Sequence, residues 1–244
     1  MVTKMAGLPK KISPCPIIEA TIELRFSSAI LPDAIFGIIY QEFKDEFSGK
    51  AGKLPILQLP EAIRSIDPSL KYQPYYKLVA GNLIFQIGPR VASLSNVNDY
   101  VGWETFSKKI KDTFSKLQTL KIIKSVERLG IRYINFFKED IFNNINVSIV
   151  LNGKPLETLK TTLKAEIQED NFINVLQIAN RARVKVQDGT LTGSVIDINT
   201  ISKDIEGSFF EGMESLLEKG HNFEKVLFFS LLKKEFLSAL NPEF

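Results

Sequence analysis

The 244-residue chain contains one cysteine, one histidine and one tryptophan, and each scarcity excludes a class of chemistry. With Cys15 alone, no disulfide can close within the chain, and a reducing, cytoplasmic setting is expected. With His221 alone, a histidine-rich metal site is excluded, and any Ser-His-Asp or Cys-His mechanism would have to run through that ring. There is no uninterrupted apolar run of about 18 residues, so no membrane span is expected. Lys4, Lys10 and Lys11 near the amino terminus are not followed by an apolar stretch of signal-peptide length. Charge is nearly balanced, with 31 basic against 28 acidic residues and a net +3, too little for a broad nucleic-acid field. The P-loop, the Gly-rich dinucleotide turn, HExxH, CxxC and Gly-x-Ser-x-Gly are all missing. No cofactor and no metal are expected on these grounds.

What the chain has in quantity is apolar and aromatic side chains: 44% of residues are hydrophobic and 18 are phenylalanine. That is enough for a large core without staples, and it also suits an association surface. Ile18 to Phe26 alternates apolar residues with Glu19, Thr21, Glu23 and Arg25, which predicts a half-buried strand with one charged face. Pro32 and Asp33 suit a first helical turn, and Phe36, Ile39, Phe43 and Phe47 recur at helical spacing before Gly49. Residues 50–76, with Pro55, Pro60, Pro68 and Pro74, read as a long covering loop with a short helix from Pro60 to Ile66. Its tyrosines, Tyr72, Tyr75 and Tyr76, are expected to seal a sheet edge. Leu78–Ile87 and Val91–Val97 read as a hairpin. A helix beginning near Trp103 carries Phe106, Ile110, Phe114 and Leu117 on one stripe, and lysines elsewhere. Val126–Phe137 is the next strand.

This β-α-β-β-α-β order predicts a ferredoxin-like half over residues 12–140. The remainder, 141–244, reads as antiparallel strands at Ile145–Leu151, Leu163–Gln168, Ile173–Ala179, Ala182–Gln187 and Leu191–Ile198. The turn signals Asn152-Gly153 and Asp188-Gly189 punctuate them. Two helices close the chain, one through Phe209, Met213, Leu216 and Leu217 and one from about Asn222 to Leu240. The last is apolar nearly all round, from Phe223 to Leu237, so it is expected to be buried on several sides or used for self-association. The expectation is one α+β domain spanning 1–244, on antiparallel sheet, that associates as a homo-oligomer through this helix.

The best chemical feature is charge on strand faces. Glu23 and Arg25 share a face of the first strand, and Arg128 and Arg132 share a face of the strand through Gly130. Arg181, Arg183 and Lys185 alternate on a later strand, and Asp197 lies on the next. Converging, they would form a site for an anionic small ligand such as a nucleotide or polyphosphate, because guanidinium pairs bidentately with phosphate oxygens. Facing water, they would form cross-strand ion pairs of little energy. The run Thr21-Ile22-Glu23-Leu24-Arg25 weakly resembles the Glu-x-Glu-x-Lys strand of the triphosphate-tunnel enzymes, with one acid missing. Phe85 and Tyr133 are the strand aromatics on which a nucleic-acid base would have to stack, although the charge balance argues against that partner. His221, after Gly220, is expected at the start of the final helix, where a neutral ring would cap or pack.

Several segments together resemble a sporadically distributed family of prokaryotic proteins of about this length that has no assigned activity. They are Pro16-Ile-Ile-Glu-Ala, Gly88-Pro-Arg-Val-Ala-Ser-Leu-Ser, Gly102-Trp103 with Phe106, Arg128-Leu-Gly-Ile-Arg-Tyr-Ile-Asn135, and the region around His221 and Phe228. Gly220 departs from the leucine found there in relatives. The resemblance implies an architecture and a scattered distribution, as in a mobile defence or toxin–antitoxin cassette, but no site. Two functional readings stand: a non-catalytic binding or assembly protein with a protein partner or a second copy, and an enzyme or sensor for a phosphate ligand using the strand arginines.

Overall fold

The computed structural model describes residues 7–49, 51–155, 160–186, 189–203, 205 and 208–244. The alternation after Pro16 builds β1 (Ile17–Ser27), whose Ala20, Ile22, Leu24 and Phe26 are fully buried. Helix α1 (Pro32–Phe43) follows, with proline in its first turn and Ile35, Ile39 and Phe43 inward. The segment between this helix and the next long strand holds β2 (Gly52–Lys53) and α2 (Glu61–Ile66). Its tyrosines take intramolecular partners: Tyr76 stacks on Phe36 at 3.7 Å, and Arg64 lies over the Tyr75 ring.

The expected hairpin is a three-stranded meander: β3 (Tyr76–Ala80), β4 (Leu83–Gly88) and β5 (Val91–Val97). Gly81 at φ 57°, followed by Asn82, turns the chain where a continuous strand Leu78–Ile87 was expected. This extra hairpin adds β3 as a strand beyond β4. β5 and β6 flank β1, both antiparallel to it. The structure has the expected α+β class on antiparallel sheet, with β3 and β2 extending it outward from β4.

Helix α3 (Trp103–Thr119) buries Phe106, Ile110, Phe114 and Leu117 and leads into β6 (Ser125–Phe137). Each such side chain contributes about 1.5–3 kcal/mol on burial. The strand expected at Ile145–Leu151 is reduced to β7 (Val150–Leu151), paired with β8 (Lys154–Pro155) across Asn152-Gly153. Ile145 is instead drawn into the core, bridging to Leu232. Then come β9 (Thr162–Glu169), β10 (Phe172–Val186) and β11 (Gly189–Ser202). The two strands expected around Ala179 and Ala182 are one, interrupted by a bulge where Arg181 has φ 49°. Asp188, in the expected turn, lies outside the described residues.

The strands form one nine-stranded sheet in the order β2-β3-β4-β5-β1-β6-β11-β10-β9. It is open, with β2 and β9 at its edges, so no closed tunnel exists of the kind the triphosphate enzymes use. β6 pairs with β11, which carries the sheet across from residues 12–140 to 141–244. Helices α1 and α3, together with α4 (Phe209–Leu231), cover one face, and the short α5 (Lys234–Ala239) follows. No helix among the described residues is long and apolar enough to cross a membrane.

The break expected near Gly220 is absent, and α4 runs through it. A Cβ on Gly220 would sit 2.6 Å from Ile131 Cδ1 and 3.0 Å from Phe172 Cε1, so the missing side chain lets the helix lie directly on β6 and β10. Phe228, Phe229, Leu231 and Leu232 are buried within the chain. Internal packing thus accounts for part of this apolar segment, while Phe223, Val226, Leu227, Phe236 and Leu237 stay half-buried.

Candidate functional site

Antiparallel pairing places opposed residues on the same side of a sheet. Glu23 stands opposite Gly130, Arg25 opposite Arg128, and Arg132 opposite Asn199, all on the face that the helices leave open. Arg25 Nε donates to Glu23 Oε1 at 2.7 Å, and the Arg128 guanidinium approaches the same oxygen at 3.7 Å. Burial, and then the neighbouring Arg25 charge, lowers the Arg128 pKa, and its Nε is buried without a hydrogen-bond partner. Arg25 also lies over the Tyr72 ring, whose hydroxyl donates to Glu127 at 2.5 Å. Further along the face, Arg132 grips Asp197 bidentately at 2.8 and 2.6 Å.

Glu23, Arg25, Arg128, Arg132 and Asp197 therefore share one open face as ion pairs. Arg181 and Arg183 do not join them. β9 pairs with β10 only as far as Ala179 and β6 with β11 only from Ser194, so these two arginines stand exposed on a ribbon beyond the sheet. The Lys185 side chain lies outside the described residues. Phe85 and Tyr133 are buried beneath the helices and present no ring to a nucleic-acid base.

A cavity of about 610 Å³ lies on the other face. Four pieces of chain build it. The first is the amino-terminal segment Lys10–Ile17, tied to the carboxyl-terminal region by Ser13 N–H donating to the Leu240 carbonyl at 2.7 Å. The second is the turn Tyr100–Thr105 at the head of α3. Buried Asn96 organises that turn: its side-chain oxygen accepts from Val101 N–H at 2.9 Å, and Gly102 takes φ 84° to start the helix. The third is β6, offering Tyr133 and Asn135 from its inward side. The fourth is α4, where His221, Glu224, Lys225 and Phe228 fall on one face by helical spacing.

The chain's only cysteine, tryptophan and histidine all line this cavity. Trp103 stacks on His221 with centroids 4.0 Å apart and planes 12° from parallel, while its indole N–H donates to Glu218 at 2.9 Å. His221 Nδ1 lies 3.1 Å from the Tyr133 hydroxyl, which is 3.3 Å from that of Tyr100. Burial, with a lesser push from Lys225, drives the His221 pKa down to about 3, so the ring is neutral. His221 sits in the middle of α4 rather than at its start; burial, not a helix terminus, keeps it uncharged. Burial likewise raises both tyrosines, and no carboxylate orients the imidazole.

Glu224 has a different standing. It is 5% exposed, makes no hydrogen bond or ion pair among the described residues, and burial pushes its pKa up to about 8 despite the opposing Lys225. A carboxyl held unpaired in the interior is costly and is a mark of functional sites. Cys15 is exposed at the mouth, where neighbouring chain desolvates the thiol and raises its pKa. No three His, Cys, Asp or Glu side chains among the described residues are grouped to hold a metal ion.

Sequence reasoning treated Cys15, Trp103 and His221 one at a time and missed Glu224 altogether. The available signal was a charged residue on the apolar stripe of the final helix, three positions after the only histidine. Pro16, Gly102-Trp103, Tyr133, Asn135, His221 and Phe228, from four separate stretches of chain, meet along this one cavity. No protein-family model matches the chain, and no match is found among curated proteins.

Proposed function

We propose that the protein is a non-catalytic, cytoplasmic binding protein whose ligand is a small organic molecule held in the cavity between α4, β6 and the head of α3. The observation that carries this reading is the Glu224 carboxyl, unpartnered among the described residues, in a cavity that sets a few polar groups among the apolar and aromatic side chains of Ile12, Ile17, Trp103, Phe228 and Phe229. Concave apolar sites with a few convergent polar groups are where proteins bind small molecules, and about 610 Å³ suits a drug-sized one. Catalysis by His221 finds no support, because a ring titrating at about 3 is a poor base at neutral pH. The lone thiol supports the cytoplasmic setting.

The test is a small-molecule library read by melting temperature and by Trp103 emission, the single tryptophan making the fluorescence specific to this site. Ligand at 100 times its Kd stabilises by about 2.7 kcal/mol, a shift of several degrees. A library in which compounds raise the melting temperature without changing Trp103 emission would move binding elsewhere.

A second reading, a phosphate ligand on the open face, is favoured by one observation: Arg25 and Arg128 share a single carboxylate and leave a buried Arg128 N–H unused. Inorganic pyrophosphate and ATP, with and without magnesium, test it. Stabilisation abolished by Arg128→Gln supports it, and no stabilisation by either anion removes it.

A further inference from the structure

Resting on the reading of the cavity as a ligand site, we propose that its ligand is an amphiphilic organic anion: an apolar or aromatic body bearing one carboxylate or phosphate group. The charge around the cavity argues for the anion. Lys10, Lys11 and Lys225 line it, and neither Lys11 nor Lys225 has a carboxylate partner among the described residues. Lys10 donates to the backbone oxygen of Phe244, the last residue, at 3.2 Å. Burial lowers the Lys225 pKa, Glu224 opposes that, and the nearby Lys10 charge adds a smaller push downward. An anion placed between the two lysines offsets that last push. Besides Glu224, the acid on the lining is Glu104, which is exposed.

The interior argues for the body. Ile12, Ile17, Trp103, Phe228 and Phe229 form its walls, offering no donor along most of their surface. Glu224 adds selectivity of its own. Facing it around the cavity are Lys225 and His221 from its own helix, Tyr100 and Glu104 from the head of α3, Tyr133 from β6, and Lys10, Lys11 and Cys15 from the amino-terminal segment. Protonated, as burial keeps it at neutral pH, Glu224 donates a hydrogen bond to an anion; ionised, it repels one. A cationic ligand would meet the lysine rim first and gain from Glu224 only after forcing out its proton.

The experiment compares one body with different heads: octanoate, octyl phosphate, octanamide and octylammonium, each titrated at pH 7 against Trp103 emission and against the rate of Cys15 labelling by a maleimide. Octanoate or octyl phosphate is expected to bind at least about tenfold more tightly than the amide and the ammonium, and to protect Cys15; which of the two leads identifies the headgroup. The double variant Lys11→Gln/Lys225→Gln removes that preference, bringing octanoate and octyl phosphate to the affinity of octanamide in the same variant. Raising the pH from 7 to 9 weakens octanoate binding in the native protein but not in Glu224→Gln. Tightest binding by octylammonium, or equal affinities for all heads, overturns the anion class and leaves the cavity as a ligand site. Failure of all four probes to bind up to millimolar concentration overturns both.

Discussion

On the open face of the sheet the charged side chains are paired and within reach of water, whereas beneath the helices the Glu224 carboxyl is nearly buried and has no partner among the described residues. Arg132 and Asp197 satisfy each other, and Glu23 serves both Arg25 and Arg128. Glu224 lies buried among rings and aliphatic groups with its proton retained. A paired, wet face explains itself as a solvated surface. An unpaired interior acid raises the question of what it is there to meet. The comparison teaches that the density of charge is a poor guide to a site, and that an unpartnered ionisable group in the interior is a better one.

The largest expected effect comes from disturbing how the helices meet the sheet. Gly220→Leu forces a side chain into Ile131 and Phe172 and should lower stability by about 3 kcal/mol in urea denaturation. Gly130→Ala on the open face, where a Cβ would find its nearest neighbour at 3.4 Å, should cost under about 1 kcal/mol. Equal costs at the two glycines would break the comparison.

Next comes pH. Glu224 has a folded pKa of about 8, above its ordinary 4.5, so its contribution is complete below about 4.5 and is lost as pH rises to 8. His221 has a folded pKa of about 3, below its ordinary 6.5, so its contribution is complete above 6.5 and is lost as pH falls. The two oppose each other between 4.5 and 6.5, and Glu224 acts alone above that. The native protein should therefore lose about 2 kcal/mol between pH 6.5 and 8, at about 1.36 kcal/mol per unit. Glu224→Gln should be nearly flat over the same window in chemical denaturation. A native protein equally flat there contradicts the buried, protonated acid.

Smaller effects sharpen the contrast. Tyr133→Phe leaves His221 Nδ1 without its hydroxyl partner and should cost about 1 kcal/mol, with a change in Trp103 emission because the stacked imidazole is released. A double-mutant cycle on Arg132→Gln and Asp197→Asn should return under about 1 kcal/mol, falling further in molar salt. A larger, salt-insensitive value would mean that the open face is not simply solvated.

Much of the fold was legible because periodicity is local. The alternation in β1 and the stripe of α3 place their own residues, and the structure keeps them. What failed depended on single turns or on distant contacts. Gly81 and Asn82 break one strand into two, which adds an edge strand to the sheet. One helix through Gly220 read as two, because nothing in its vicinity shows that Ile131 and Phe172 occupy the space of a side chain there. The strand arginines were visible as a pattern, and most of them do share a face, yet Arg181 and Arg183 fall beyond the sheet because a bulge sits between Ala179 and Ala182. The cavity was hidden for a different reason. Cys15, Trp103, Tyr133 and Glu224 lie far apart along the chain, and no spacing rule joins them.

The central claim is that the space beside Glu224 takes a small molecule, and Cys15 at its mouth allows a direct test. The sole thiol is modified with a bulky maleimide, and any compound that stabilises the unmodified protein is measured again on the modified one. The account predicts that both the melting shift and the Trp103 response vanish once the mouth is blocked. Undiminished binding to the blocked protein would contradict it.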